Sequence, residues 1–174
     1  MNRKLERFEA AIADYSAEIK HSASDAATTK ISSSHVKAFN NRAYCLAKLG
    51  RYEEAIVDYT TVIKYEDTNI HALHNRGISF ERLTRYTEAV ADFSRVIAID
   101  PTNANAYFNR GCCYDSIGEL DLAISDYSVA LELDLRNGNE DAEAEDGEAS
   151  PDAADKAAAV DETNESIYNV NETE

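Results

Sequence analysis

The stretch "NRGISFERLTRYTEAVADFSRVI", Asn75–Ile97, has "NRAYCLAKLGRYEEAIVDYTTVI" before it at Asn41–Ile63 and "NRGCCYDSIGELDLAISDYSVAL" after it at Asn109–Leu131. Each copy begins 34 residues after the last. In this register Ala38, Ala72 and Ala106 align, as do Leu49, Leu83 and Ile117, then Ala55, Ala89 and Ala123, then Tyr59, Phe93 and Tyr127. A constant period of this size predicts a stack of supersecondary units, each burying its apolar face on the next.

Within a copy the apolar spacing is helical. Leu73, Gly77, Phe80 and Leu83 recur at intervals of three and four, and Ala89, Phe93, Val96 and Ile97 form a second stripe after a short break. Each copy therefore predicts two helices. The breaks fall at "LGRY", "LTRY" and "IGEL", where Gly50 and Gly118 suit a left-handed helix end and Thr84 stands in the same place. At the other joint Pro101 stops a helix, and neighbouring Asn and Asp residues can cap the next one.

Leu73, Gly77, Phe80, Tyr86, Ala89, Phe93 and Pro101 carry a resemblance to the tetratricopeptide repeat, with departures at Thr84, Asp67, Leu120 and Leu135. The resemblance implies an all-α fold, a right-handed superhelical array of antiparallel helix pairs whose concave face is lined by the first helix of each pair. Three repeats are expected at about 36–69, 70–103 and 104–135. The small residues Ala43, Gly77 and Gly111 on first helices are expected to let Tyr59, Phe93 and Tyr127 pack closely.

Upstream, Phe8, Ala11, Ile12, Asp14, Tyr15 and Ile19 match Tyr52, Ala55, Ile56, Asp58, Tyr59 and Ile63 at an offset of 44. Residues 3–20 thus read as a second helix without its first, either a cap or, the preferred reading, the remnant of an array that continues upstream. Residues 21–34, rich in Ser, Ala and Thr, read as a polar loop. Residues 136–174 read as a flexible acidic tail too poor in large apolar side chains to offset its ordering entropy. Within it "SPDAADKAAAVDE" could form a marginal capping helix, and "SIYNV" could dock in a groove.

The formal net charge is -16, and residues 135–174 carry thirteen acidic and two basic side chains of that balance. No basic stripe is present to neutralise a phosphate backbone, which argues against nucleic acid, and an anionic membrane surface is disfavoured for the same reason. The N-terminal "MNRKLERFEAAIADY" lacks an apolar signal core, and no apolar run approaches a bilayer span. Cys45, Cys112 and Cys113 form an odd set on helical stretches. These features point to a cytoplasmic protein with reduced thiols, monomeric by default. There is no phosphate loop, metalloprotease helix or nucleophile constellation, so no enzyme, cofactor or metal is expected; His71 and His74 lack a third ligand.

The expected function is protein binding, as an adaptor that holds an extended peptide segment of a partner in the concave groove. The groove residues on the three first helices would be Lys37, Asn41, Tyr44 and Lys48, then His71, His74, Asn75, Ile78 and Arg82, then Asn105, Phe108, Asn109 and Cys112. Asn41, Asn75 and Asn109 recur one residue before an arginine, and an amide can meet both N–H and C=O of a peptide backbone. The arginines themselves, Arg42, Arg76 and Arg110, are expected to pair, within a repeat or between adjacent repeats, with the aspartates that recur in the second helices, Asp14, Asp58, Asp92 and Asp126, because a partly buried guanidinium requires a carboxylate. Asp14 recurs at the same place in the upstream helix.

Two alternatives remain. Residues 41–59 are similar to the middle repeat of co-chaperone modules that clamp the acidic carboxyl terminus of heat-shock proteins, with Asn41 at the position of the clamp asparagine. His71 and Asn75, however, stand where that resemblance implies Lys and Arg, and neither is reliably cationic. The other alternative is a structural solenoid element that packs by its ends within a larger assembly.

Overall fold

A computed structural model describes residues 3–23 and 33–144. Seven helices follow in order: α1 Arg3–Ala23, α2 Ser33–Lys48, α3 Tyr52–Tyr65, α4 Ile70–Arg82, α5 Tyr86–Ile99, α6 Ala104–Ser116 and α7 Leu120–Ala144. No strand occurs among the described residues. The described residues up to Arg136 form one compact unit, and the end of α7 from Asn137 belongs to another.

The repeat sequence writes its own helix ends. After α2, α4 and α6 the chain passes through Gly50 at φ 75°, Thr84 at φ 57° and Gly118 at φ 84°. Around each, two backbone bonds close the helix: Arg51 N–H to Leu46 C=O at 2.9 Å with Gly50 to Ala47 at 3.0 Å, and the same pair at Arg85 with Thr84 and at Glu119 with Gly118. This is the double bond pattern of a Schellman ending, which satisfies carbonyls the helix leaves over. At the starts of α4 and α6, the side chains of Asn69 and Asn103 accept from the backbone N–H of Ala72 and Ala106 at 2.9 and 3.0 Å. Each cap contributes about 1 kcal/mol to its helix.

Consecutive helices pack from α1 through α6, and the first helices also touch one another, α2 with α4 and α4 with α6. Among the described residues the second helices α3 and α5 make no comparable contact. The stack therefore curves with α2, α4 and α6 on its inner side. One core cluster joins the first two repeats through Leu46, Tyr59, Val62, Leu73 and Val96, and a second gathers Phe80, Ala89, Phe93 and Cys113. The close approach at Gly77 is strict: a Cβ there would lie 2.8 Å from the Phe93 ring, and one at Gly111 would lie 2.8 Å from Tyr127.

The helix limits differ from the sequence reading at both ends. α1 runs on to Ala23 and α2 begins at Ser33, so the expected loop at 21–34 is trimmed at both sides; residues 24–32 lie outside the described residues. α7 continues past Leu135 to Ala144, into the expected tail. In both cases an existing helix elongates at the cost of ordering one residue per added hydrogen bond, which polar and Ala-containing sequence tolerates. Residues 145–174, with the capping-helix and "SIYNV" expectations, lie outside the described residues.

Candidate peptide-binding groove

The inner face is held in shape by a ladder of arginines. Arg42 gives Nε to Asp58 Oδ2 at 2.7 Å and Nη2 to Oδ1 at 2.8 Å; Arg76 and Asp92, and Arg110 and Asp126, repeat this fork. The third nitrogen, Nη1, reaches back to the preceding second helix, to Ser16 at 3.1 Å, Thr60 at 3.0 Å and Ser94 at 3.0 Å. Each guanidinium thus ties a first helix to its own second helix and to the one before. Burial makes this geometry matter: the three aspartates are 3–5 % exposed. The paired carboxylates push the Arg42 and Arg110 guanidiniums above their ordinary range.

The arginines are committed to the scaffold, and one step around the helix before each stands the asparagine that the sequence reading assigns to the groove. Asn41 is exposed, while Asn75 and Asn109 are half-buried. Lys37 and Lys48 are exposed on α2, and the Lys48 ammonium stands 5.1 Å from the centre of the half-buried Tyr44 ring. On α4, His71 and Arg82 are exposed, and Ile78 packs partly buried against the Phe80 and Phe93 cluster. On α6, Asn105 is exposed, Phe108 is 39 % exposed with its ring tilted on Tyr127 at 5.6 Å, and Cys112 is half-buried beside the Tyr127 hydroxyl.

One pair of the expected residues meets directly across helices. The Asn109 amide lies 3.3 Å from His74 Nε2, and the His74 ring stands edge-on to Phe93 at 5.4 Å. Burial and the neighbouring His71 lower the His74 pKa to about 4, so the ring is neutral near pH 7. An amide N–H donated to Nε2 fits that neutral ring with its own proton on Nδ1. Glu81, on the same helix, is pushed up by burial. Burial likewise raises Cys45 and Cys112 and pushes Cys113 up to about 12, so all three stay thiols at neutral pH. His74 and the three cysteines are therefore uncharged near pH 7, while Lys37, Lys48 and Arg82 are exposed and no carboxylate pairs with them among the described salt bridges.

Family models of the tetratricopeptide repeat match residues 36–69, 85–116 and 104–137. The chain is a tetratricopeptide repeat protein. No curated protein matches its sequence. Among solved structures, the second tetratricopeptide domain of Spaghetti (RPAP3), bound to the HSP90 peptide SRMEEVD, is 28 % identical with a TM-score of 0.55 over 56 % of this chain and 91 % of that one. The Arabidopsis OM64 tetratricopeptide domain is 26 % identical with a TM-score of 0.55 over 56 % of this chain and 81 % of its own. MamA, 19 % identical with a TM-score of 0.58 over 60 % of this chain, shares the fold; the chain spans 61 % of the MamA structure.

This tetratricopeptide array carries features its sequence did not announce as functional. The hydroxyl ladder Ser16, Thr60 and Ser94 recurs two residues after each aspartate, a signal present in the alignment and overlooked because a lone Ser or Thr on a helix is commonplace. The burial of Glu81 and the link from His74 to Asn109 had no such signal, since both depend on how far neighbouring repeats rotate. Among the described residues no group of three potential metal ligands converges, and no helix is long and apolar enough to cross a membrane.

Proposed function

We propose that the inner face of α2, α4 and α6 holds an extended segment of a partner protein, which makes the chain an adaptor. The observation that carries this is the division of labour on each first helix. The arginine is spent on the scaffold, and the preceding asparagine, with Lys37, Tyr44, Ile78 and Phe108, is left on a continuous face over three adjoining helices. An exposed aromatic ring and a row of amides suit a peptide recognised partly through its backbone. In keeping with a binding role, the protonated thiols and the neutral His74 offer no activated nucleophile at this face. Three free cysteines suit a reducing, cytoplasmic setting.

A second reading is favoured by one observation. The second RPAP3 domain, which shares the fold, is bound to an acidic peptide, SRMEEVD, and the exposed cations Lys37, Lys48 and Arg82 of this chain could meet acidic side chains. Against a terminal-carboxylate clamp stand His71 and Asn75 at the positions where cations are expected, and the neutral His74 between them.

Calorimetric titration of the full chain decides between these readings. SRMEEVD, its amidated form and peptides captured from a random library are each titrated, with Asn41, Asn75 and Asn109 changed singly to Ala. Library peptides bound micromolar or better and weakened about tenfold by each change support the adaptor reading. Affinity for SRMEEVD that requires the free carboxylate transfers the role to co-chaperone. Loss of neither, with association through the apolar ends of the array, leaves a structural solenoid.

A further inference from the structure

Leu46, Phe80 and Tyr114 share one register of the repeat, and only the first of them lacks a ring. In the second repeat the Phe80 ring lies 4.5 Å from the Arg85 guanidinium and 5.7 Å from that of Arg76. In the third, Arg110 stands 5.6 Å from Tyr107 and 5.8 Å from Tyr114. Arg42 keeps the equivalent of Tyr107, Phe39 at 5.5 Å, but Leu46 takes the place of the second ring. A cavity of about 280 Å³ lies there, lined by Ile12, Leu46 and Val57 together with Arg42 and Arg51. It opens between α1 and α3, which make no packing contact with each other, and has α2 for its floor. Both flanking helices pack on α2, so the cavity is interior to the stack; its cause is a side chain and not an end of the array.

We infer that this cavity seats one uncharged aromatic ring, a Phe or Tyr side chain of a partner protein, in the place that Phe80 fills from within the chain one repeat later. Charge selects the ring. Both arginines are already neutralised, Arg42 by its fork onto Asp58 and Arg51 by Glu54 at 2.6 and 2.8 Å, a pair that repeats Arg85 with Glu88. Two guanidiniums and two carboxylates line the site, so neither a phosphate nor an ammonium finds an unmet counter-charge there. What the guanidiniums still offer is their planar faces, which attract aromatic rings, beside three apolar side chains. Size selects a single ring, since an apolar void of about 150 Å³ admits benzene whereas a drug-sized ligand takes roughly 300–1,000 Å³. A lone ring has too few atoms to bind tightly, so it arrives as the anchor of a larger chain whose other contacts lie elsewhere. The equivalent cleft between α3 and α5 is closed, because Phe80 fills it with Ile56 and Val90 packed alongside.

The probe is N-acetylphenylalanine amide, titrated into the full chain while the side-chain Nε–Hε signals of Arg42 and Arg51 are followed by nitrogen-15 NMR. Both signals are expected to shift with a Kd of about millimolar. N-acetylcyclohexylalanine amide, of similar shape but without a π face, is expected to bind about fivefold more weakly. Leu46→Phe, which supplies the ring of the second repeat, is expected to abolish the shifts, with circular dichroism verifying the fold. Arg51→Gln, at an exposed pair, is expected to weaken binding about threefold. Equal affinity for the two probes, shifts that survive Leu46→Phe, or no shift at either arginine would overturn the inference. The source of the ring is tested with random peptides selected on the parent chain and counter-selected on Leu46→Phe: a shared aromatic residue supports a partner's anchor, and its absence overturns it. So does a change of the Arg51 signal in Tyr168→Ala without any probe, which would mean that the chain supplies the ring itself.

Discussion

Asp92→Ala tests whether the arginine ladder holds the array together. The substitution removes two acceptors, Oδ2 at 2.7 Å from Arg76 Nε and Oδ1 at 2.7 Å from Nη2. The side chains involved are 15 % exposed for Arg76 and 4 % for Asp92, so the guanidinium left behind is largely cut off from water. Its remaining contacts are Thr60 at 3.0 Å and the face of Phe80 at 5.7 Å. Breaking a buried pair on one side costs about 3–5 kcal/mol, and the partial access of Arg76 to solvent sets the expectation near the lower bound, about 3 kcal/mol. Urea unfolding followed by circular dichroism at 222 nm measures it. Replacing both partners, Arg76→Met with Asp92→Leu, is expected to recover most of the loss, since no orphaned charge remains. Asp92→Ala within about 0.5 kcal/mol of the parent, the scatter of ordinary surface changes, would refute the reasoning. So would a double variant no better than the single one.

Two further outcomes follow from buried polar groups. The Tyr59 hydroxyl is fully buried with no protein group bonded to it, burial pushes its pKa up, and the middle repeat has Phe93 at the same register. Tyr59→Phe is expected to raise stability by about 1 kcal/mol, seen as a higher urea midpoint, and a loss of similar size would mean the hydroxyl is satisfied. His74, with its pKa lowered to about 4 from 6.5, gives a pH signature. Between those values the unfolded chain binds a proton that the folded chain refuses, so stability is present above about pH 6.5 and falls as the pH drops towards 4. The loss at pH 5 is about 2 kcal/mol. Glu81, raised by burial, acts with the opposite sign, so the measurement is the difference between the parent and His74→Gln at pH 7 and at pH 5. A pH-independent difference would exclude the His74 contribution.

The period of 34 made the helix pairs legible because each repeat confirms the others: one "LGRY" is ambiguous, but three breaks at the same register, two with glycine, define a helix end. The same redundancy showed that the arginines and aspartates would pair, but not whether within a repeat or between neighbours; the structure pairs each with the aspartate sixteen residues on, in its own repeat. The groove was legible as a set of positions but not as a chemical surface. Whether His74 carries charge is decided by how deeply α4 sits between Phe93 and Asn109, a packing distance that no periodicity encodes. The extents of α1 and α7 were missed where the repeat pattern lapses, because outside the repeats the sequence offers only propensity, a weak guide without tertiary contacts.

The ladder also explains how a short array can keep its shape while its inner face varies. Each arginine reads the aspartate of its own repeat and the hydroxyl of the one before, so the relative setting of neighbouring repeats is fixed by polar contacts behind the inner face. The exposed polar residues among the groove candidates are then free of structural duty, and Asn41, His71 and Asn105 can be exchanged for other polar side chains without disturbing the stack, unlike His74, Ile78 and Asn109, which pack between helices.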